Sequence, residues 1–257
     1  MLKRHKIPGV DADLLLKDAA RLVPLSSRRH FLRNMAGLGS LVALTGCTVT
    51  DSSSADSLLR RMSNFNDWVQ ARLFNPDIMA PTFDKADITD PFPFNAFYGE
   101  EDAPEVSAAD WQLVVGGLVA DKSPWTLARL EVLAVRSQIT RHVCIEGWSA
   151  IGEWSGPPLA DFLKAIGADL SAKYVGFRCE DRYSSSLDMP TALHAQTLIV
   201  TKFRGQTLPR KYGFPIKIRV PTKLGFKNPK HVNELFVTND YPGGFWEDQG
   251  YNWFSGL

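Results

Sequence analysis

Cysteine is scarce. The 257 residues hold three, Cys47, Cys144 and Cys179. That number excludes a disulfide framework and leaves room for a single bridge, Cys144–Cys179. A Cys-x-x-Cys-His motif is missing, which excludes covalently attached haem. Long apolar runs are missing too, and none reaches the roughly 18 residues of a membrane-spanning helix. Net charge is slight, +1 at pH 7, and it is unevenly placed. Residues 1–46 hold eight Lys and Arg against three Asp and Glu, and the remaining residues hold 21 against 25. A mildly acidic body argues against nucleic acid as the partner. What is present is ordinary globular composition, 44% hydrophobic and 22% charged, enough for one large domain or two small ones.

Three segments follow from the order of the chain. Ser27-Arg28-Arg29-His30-Phe31-Leu32-Arg33 resembles a twin-arginine export signal, and the small apolar run from Met35 to Thr45 suits a signal h-region. Leu44-Thr45-Gly46-Cys47 resembles a lipobox, in which Cys47 would be acylated and become the mature N-terminus. Residues 1–46 are thus expected to be an export signal with a lipobox. Residues 47–90 are expected to hold a polar tether, Asp51 to Ser57, and an amphipathic helix. In that helix Leu58, Met62, Phe65, Val69 and Leu73 recur at helical spacing, and Asn75-Pro76 ends it. The stripe is expected to pack against the body, residues 91–257, with a membrane-surface or partner-binding role as the alternative. The twin-arginine route carries folded proteins, which suits a cofactor inserted before export.

The body is organised around Arg141-His142-Val143-Cys144-Ile145-Glu146-Gly147-Trp148, running on to Trp154-Ser155-Gly156-Pro157-Pro158-Leu159. It reads as a strand, Ser137 to Ile145, then a loop bounded by Gly147 and Gly156, then a helix. Pro157 and Pro158 pre-set the helix start, Leu159, Phe162, Leu163 and Ile166 form its buried face, and Gly167 stops it. Cys144 therefore stands at the mouth of a sheet, on a scaffold rigid enough to hold a ligand. Upstream, Trp111, Leu113 and Val115 alternate along a strand that ends at Gly116-Gly117. Thr126 is expected to cap a short helix carrying Leu127, Leu130 and Leu133. Lys173 to Glu180 and Gln196 to Phe203 read as further strands, the second turned by Arg204-Gly205.

The Cys144-x-x-x-Trp148-Ser149 pattern, with Trp154-Ser155-Gly156-x-Pro158-Leu159 and a helix after it, resembles the molybdopterin-binding domain of the sulfite oxidase family. The likeness runs from roughly Pro91 to the C-terminus. It is greatest to the bacterial branch that includes the catalytic subunit of periplasmic methionine sulfoxide reductase. The resemblance implies an α+β protein of the sulfite-oxidase-type molybdopterin-binding fold, with a mixed, largely β core and flanking helices. It implies a molybdenum–molybdopterin cofactor and makes Cys144 the catalytic thiolate ligand of the metal, a soft donor suited to such a site. Asn95 and Tyr98, in Phe94-Asn95-Ala96-Phe97-Tyr98-Gly99, match residues that lie over the pterin and the metal face. An amide and a phenol can bind ring edges and oxo groups there without adding charge, and Tyr98 is the second catalytic candidate. Cys179 falls where relatives carry a polar residue near the pterin.

Tyr212-Gly213-Phe214-Pro215-Ile216-Lys217 matches a cofactor-binding stretch with two departures. Tyr212 stands at the family's polar position, and Lys217 stands where an arginine meets the pterin phosphate, as a point charge without the bidentate fork. The basic loop from Val220 to Lys230 matches one that binds the phosphate through backbone N–H groups and a lysine, with Lys227 and Lys230 as candidates. Tyr183 and Asp188 are expected at the substrate opening, His194 is expected to be structural, and the aromatic tail from Tyr241 to Phe254 should pack on the active-site side.

By resemblance the reaction is oxygen-atom transfer, the reduction of an S- or N-oxide with electrons from a b-type haem membrane subunit. The location is then the periplasm, and a lipid on Cys47 would add membrane contact. Sulfite oxidation at the same site is the alternative. Its dianionic substrate needs cations, and Arg141, Arg178 and Arg182 are available. A cofactor-free lipoprotein acting as a binding module is the other alternative, which a Cys144–Cys179 disulfide would support. Larger sulfite oxidases continue into an immunoglobulin-like dimerisation domain that these residues do not include, so a monomer is expected.

Overall fold

The computed structural model describes residues 52–257, and side-chain surroundings from Ser57 onward. The expected export signal and Cys47 lie outside the described residues. Helix α1 (Ser52–Leu73) opens in a first unit, Met1–Leu59, and the second unit, Arg60–Leu257, is the body.

In the body, period-two alternation builds the first sheet. β1 (Gln112–Gly117) turns Leu113 and Val115 inward. After β2 (Trp125–Thr126), the Arg129 N–H donates to Thr126 Oγ1 at 3.2 Å and caps α2 (Leu127–Glu131), as the sequence predicts. β3 (Arg136–Val143) and β4 (Ser149–Gly156) pair antiparallel, and α3 (Leu159–Ala165) buries Leu159, Phe162 and Leu163. β5 (Tyr174–Cys179), β6 (Ser184–Asp188), α4 (Met189–Ala192), β7 (Leu198–Val200), β8 (Lys202–Phe203), β9 (Gln206–Thr207), β10 (Lys217–Arg219) and β11 (Val232–Thr238) complete the order. One sheet runs β2-β1-β11-β5-β6, parallel only between β1 and β11, a second runs β3-β4-β8-β9, and β10 pairs with β7. This is the α+β, mostly β arrangement expected. The main core joins Leu113, Phe162, Phe177 and Leu235, each worth about 1.5–3 kcal/mol of burial. A second core gathers Phe92, Trp154, Phe203 and Tyr212 behind the β3–β4 hairpin.

Several expectations change. The stretch read as a loop between Gly147 and Gly156 is mostly strand β4. Its glycines suggest a break, but Ala150 and Trp154 alternate inward and the register runs unbroken from Val143↔Ser149 to Arg136↔Gly156. Cys144 therefore begins a hairpin turn instead of a strand-to-helix loop. The strand expected over Gln196 to Phe203 is interrupted at Thr201, leaving β7 and β8 in different sheets. The expected tether is helical from Ser52, because serine costs little helix stability. Of the stripe on α1 only Val69 is half-buried, and the rest does not pack. The helix turns polar residues to the body instead: the Phe254 N–H donates to Asp67 Oδ1 at 2.6 Å, and Gln70 bonds the Asn252 side chain and the Gly256 N–H. Met62, Phe65, Trp68 and Leu73 stay exposed. Satisfying backbone donors near the C-terminus outweighs burying the stripe.

Candidate active site

The β3–β4 turn sets the position of Cys144. The Cys144 N–H donates to Trp148 O at 2.9 Å, the Gly147 N–H donates back to Cys144 O at 3.2 Å, and Gly147 takes φ +90 at the tip. Cys144 is 7% exposed and lines a cleft of about 590 Å³. Glu146, Asn95, Asp181, Tyr183, Lys230 and Trp246 are among its other lining residues. Cys144 Sγ donates to Glu146 Oε2 at 3.6 Å, and burial, with Glu146 beside it, holds the thiol above its ordinary pKa. Cys144 and Cys179 are both free and buried, so the disulfide alternative is not formed.

The structure brings part of the expected set together. Asn95 lines the cleft, and Lys230 holds it there: Lys230 Nζ donates to Asn95 O at 2.7 Å and to Lys211 O at 3.2 Å. Tyr98 donates to Asp181 Oδ2 at 2.9 Å, and burial and that carboxylate push its phenol pKa far up. Cys179 ends β5, is 5% exposed and is raised well above the usual thiol range by burial. Lys217 is buried on β10, 4.8 Å from the Trp154 ring, and makes no ion pair among the described residues.

Other members are turned away. Tyr212 sits in the second core, and its hydroxyl donates to Phe92 O at 2.6 Å. Lys227 is buried in an ion pair with Glu247. Tyr183 reaches the cleft as expected, but Asp188 caps α4 through the Thr191 N–H and faces Lys223 at 3.7 Å. His194 is structural: its Nδ1 accepts from the Gln196 N–H, which leaves Nε2–H to donate to Ile78 O at 3.1 Å. The aromatic tail does reach the site through Trp246.

Sequence reasoning missed four cleft neighbours. His142 lies two residues before Cys144 on β3 and is 1% exposed, with no hydrogen-bond partner on either ring nitrogen. Burial first, then the charges of Lys217, Arg219 and Lys230, keep it well below its ordinary pKa. A Cβ on Gly225 would stand 2.5 Å from His142 Nε2, so only glycine lets the 220–230 loop approach so closely. Arg219 is fully buried and ties that loop to β3, donating to Asn228 Oδ1, Thr140 Oγ1 and Arg141 O. Glu146 and Asp181 complete the four. Period two, counted back from Cys144, is the one signal that could have found His142.

The cleft is thus a thiol and two carboxylates at an opening, backed by buried cations. Burial brings the Lys230 pKa down to about 8 and Arg219 to about 9, and Lys217 falls well below its ordinary value. Among the described residues no group of three or more His, Cys, Asp or Glu could hold a metal ion.

Comparison with known proteins gives this cleft its context. The family model for the oxidoreductase molybdopterin binding domain matches residues 100–246. A putative protein-methionine-sulfoxide reductase subunit of Azospira oryzae is 54% identical over 99% of this chain and 98% of its own length. The protein-methionine-sulfoxide reductase catalytic subunit of Burkholderia mallei is 27% identical over 88% of this chain and 73% of its own. Among solved structures, the sulfane dehydrogenase SoxCD of Paracoccus pantotrophus superposes with a TM-score of 0.51 at 20% identity. That match covers 54% of this chain and 40% of the other, and it speaks for the fold alone. Membership of this family sets aside the cofactor-free binding module. The family model spans more than half of the residues and a relative matches over nearly the full length, so the chain belongs to the oxidoreductase molybdopterin-binding domain family and is a molybdenum–molybdopterin oxidoreductase.

Proposed function

We propose that the Cys144 cleft reduces a neutral S-oxide, methionine sulfoxide being the substrate class that the relatives' names carry. The residues fit the cofactor. Lys217, Arg219 and Lys230 are buried cations without a carboxylate partner among the described residues, and both His142 ring nitrogens are unpaired. Such groups ask for an anionic, hydrogen-bonding ligand. Cys144 would hold the metal, Asn95 and Tyr98 would face the cofactor, and Lys217 and Lys230 would meet its phosphate. Cys179 would lie behind it, while Tyr212 and Lys227 would act indirectly by fixing the Phe92 backbone and Glu247.

When bound, the cofactor supplies two-electron oxygen-atom transfer. Reduction of a sulfoxide to a thioether and water also consumes two protons. Both protons would come from water at the opening, while Tyr98 donates its Oη–H to Asp181 Oδ2 and so fixes that carboxylate at the cleft. The aromatic side chains of Phe97, Tyr183 and Trp246 narrow the opening against water.

The charge at the opening carries the choice of substrate. Its charged side chains are Glu146, Asp181 and Lys230. Lys230 donates to the Asn95 and Lys211 carbonyls and would meet the cofactor phosphate, which leaves the two carboxylates at the opening to repel a dianion such as sulfite. The arginines available for sulfite stand elsewhere. Arg141 lies over the Phe83 ring, Arg178 pairs with Glu234 at 2.7 Å, and Arg182 is exposed at φ 65. The expected setting is the periplasm after twin-arginine export, with Cys47 lipid-anchored and a b-type haem membrane subunit as electron donor. Residues 1–46 would then be the signal, 47–90 the anchor region and 91–257 the catalytic domain.

The test is the molybdenum content of the exported chain beside Cys144→Ser, with turnover of methionine sulfoxide and of sulfite. Stoichiometric metal and sulfoxide turnover in the parent are expected. Loss in the variant should exceed the roughly 10–100-fold typical of residues one layer behind a ligand. Faster turnover of sulfite than sulfoxide would overturn the direction, and a metal-free folded parent would overturn the site.

A further inference from the structure

A solvent-facing apolar surface runs along α1 and beyond it. Met62, Phe65, Trp68 and Leu73 are exposed on the helix, Phe65 by 62% and Leu73 by 78%. Leu73 also lines a second hollow of about 1000 Å³, whose rim carries the exposed side chains of Ile78 and Met79. The same helix turns Asp67 and Gln70 toward the body. A helix that pins its polar side to its own protein and shows its apolar side outward is oriented for something else to cover.

The charge on the helix says what. From Arg60 to Leu73 it carries three arginines, Arg60, Arg61 and Arg72, all exposed, and one acid, Asp67, which is held by the Phe254 N–H. No acid on that stretch is free to repel an anion. The Arg72 guanidinium lies 6.0 Å from the Trp68 ring, so cation and indole sit side by side at the edge of the apolar stripe. An apolar face with aromatic side chains and flanking arginines, on a helix too polar to span, is the composition that lies in a bilayer interface. No helix of the described residues is long and apolar enough to cross a membrane.

We propose that this face of α1, with the Leu73–Ile78–Met79 rim, docks on an anionic phospholipid surface. Apolar side chains would enter the headgroup boundary while the arginines meet lipid phosphates. The proposal is independent of a lipid on Cys47, although an acyl chain there would place the start of α1 only a few residues from the bilayer. It rests on the exported location proposed above and not on the metal site.

The experiment uses the cofactor-loaded protein carrying Cys47→Ser, so that no acyl chain contributes. It is sedimented with vesicles of phosphatidylcholine alone and of phosphatidylcholine with phosphatidylglycerol. Binding to the anionic vesicles is expected, and it should weaken with salt. Phe65→Ser/Trp68→Ser should lower the partition about tenfold or more, with sulfoxide turnover from a soluble reductant retained. Arg61→Glu/Arg72→Glu should remove the preference for anionic lipid. Absence of vesicle binding by the parent, or equal binding by the Phe65/Trp68 variant, overturns the proposal. A dimer that the same variant dissolves, or binding to a detergent-solubilised haem subunit without vesicle binding, assigns the face to a protein and overturns it as well. Vesicle binding is read without turnover, so a failure of the catalytic reading would leave this outcome unaffected.

Discussion

Val143 and Cys144 are neighbours in the chain and line different hollows. The 220–230 loop divides in the same way, with Pro221 and Thr222 on one side and Gly225, Phe226, Asn228, Pro229 and Lys230 on the other. The Cys144 cleft is bounded by Asn95, Glu146, Asp181 and Lys230, the second hollow by Leu73, Ile78, Met79 and Phe83. Two segments thus separate the cleft proposed to hold the cofactor from the apolar rim proposed to meet a lipid surface. Successive side chains leave a strand on opposite faces, so one strand end can serve both without either chemistry intruding on the other.

The sharpest test of this contrast is Lys230→Met. Lys230 lines the polar cleft and holds Asn95 there, so cofactor retention should fall about 10–100-fold, measured as molybdenum and pterin remaining after dialysis. Retention equal to the parent would break the claim that this side grips an anion.

A smaller effect separates the lysines behind the two hollows. In the fold the Lys223 pKa is lowered to about 7 and the Lys230 pKa to about 8, both chiefly by burial, against 10.5 when unfolded. Between these folded values and 10.5 the unfolded chain binds more protons, so stability rises with pH. The cost of burying the charges is fully present below about pH 7 and is relieved above it. Apoprotein should therefore gain about 1–3 kcal/mol in urea unfolding from pH 7 to 9. Beyond 9.0, the ordinary thiol value, the raised pKa values of Cys144 and Cys179 act the other way. Adding the anionic cofactor should flatten the share of Lys230 and leave that of Lys223, which faces Asp188. The smallest effect belongs to the apolar rim. Met79→Ser should change stability by less than about 0.5 kcal/mol and leave sulfoxide turnover within about twofold, checked by urea unfolding and steady-state rates.

Much of the fold was legible in the residues. The alternation of Leu113 and Val115, the cap at Thr126 and the buried face of α3 need only local chemistry, and all three formed as read. β4 was not legible, because its glycines resemble loop breaks until Trp154 and Ala150 are seen packed in the second core. The site divides similarly. Cys144, Asn95 and Lys230 could be named from motif and resemblance and do meet at one cleft. The directions of Tyr212 and Lys227 could not be read, since they are set by Phe92 and Glu247, both far away in the chain. His142 has no motif at all, and its burial without a partner is a fact about neighbours that only tertiary structure assembles.

The lining of the cleft also bears on timing. It draws on residues from Asn95 to Trp246, and its rim is tied by Lys230 reaching back to Asn95. No cleft exists until the 246th residue has been synthesised and long loops have closed around it. The cofactor must therefore be inserted after translation, into a chain already close to its final shape. Maturation then reduces to one late, checkable event, a loading step that separates an apoprotein pool from a finished one.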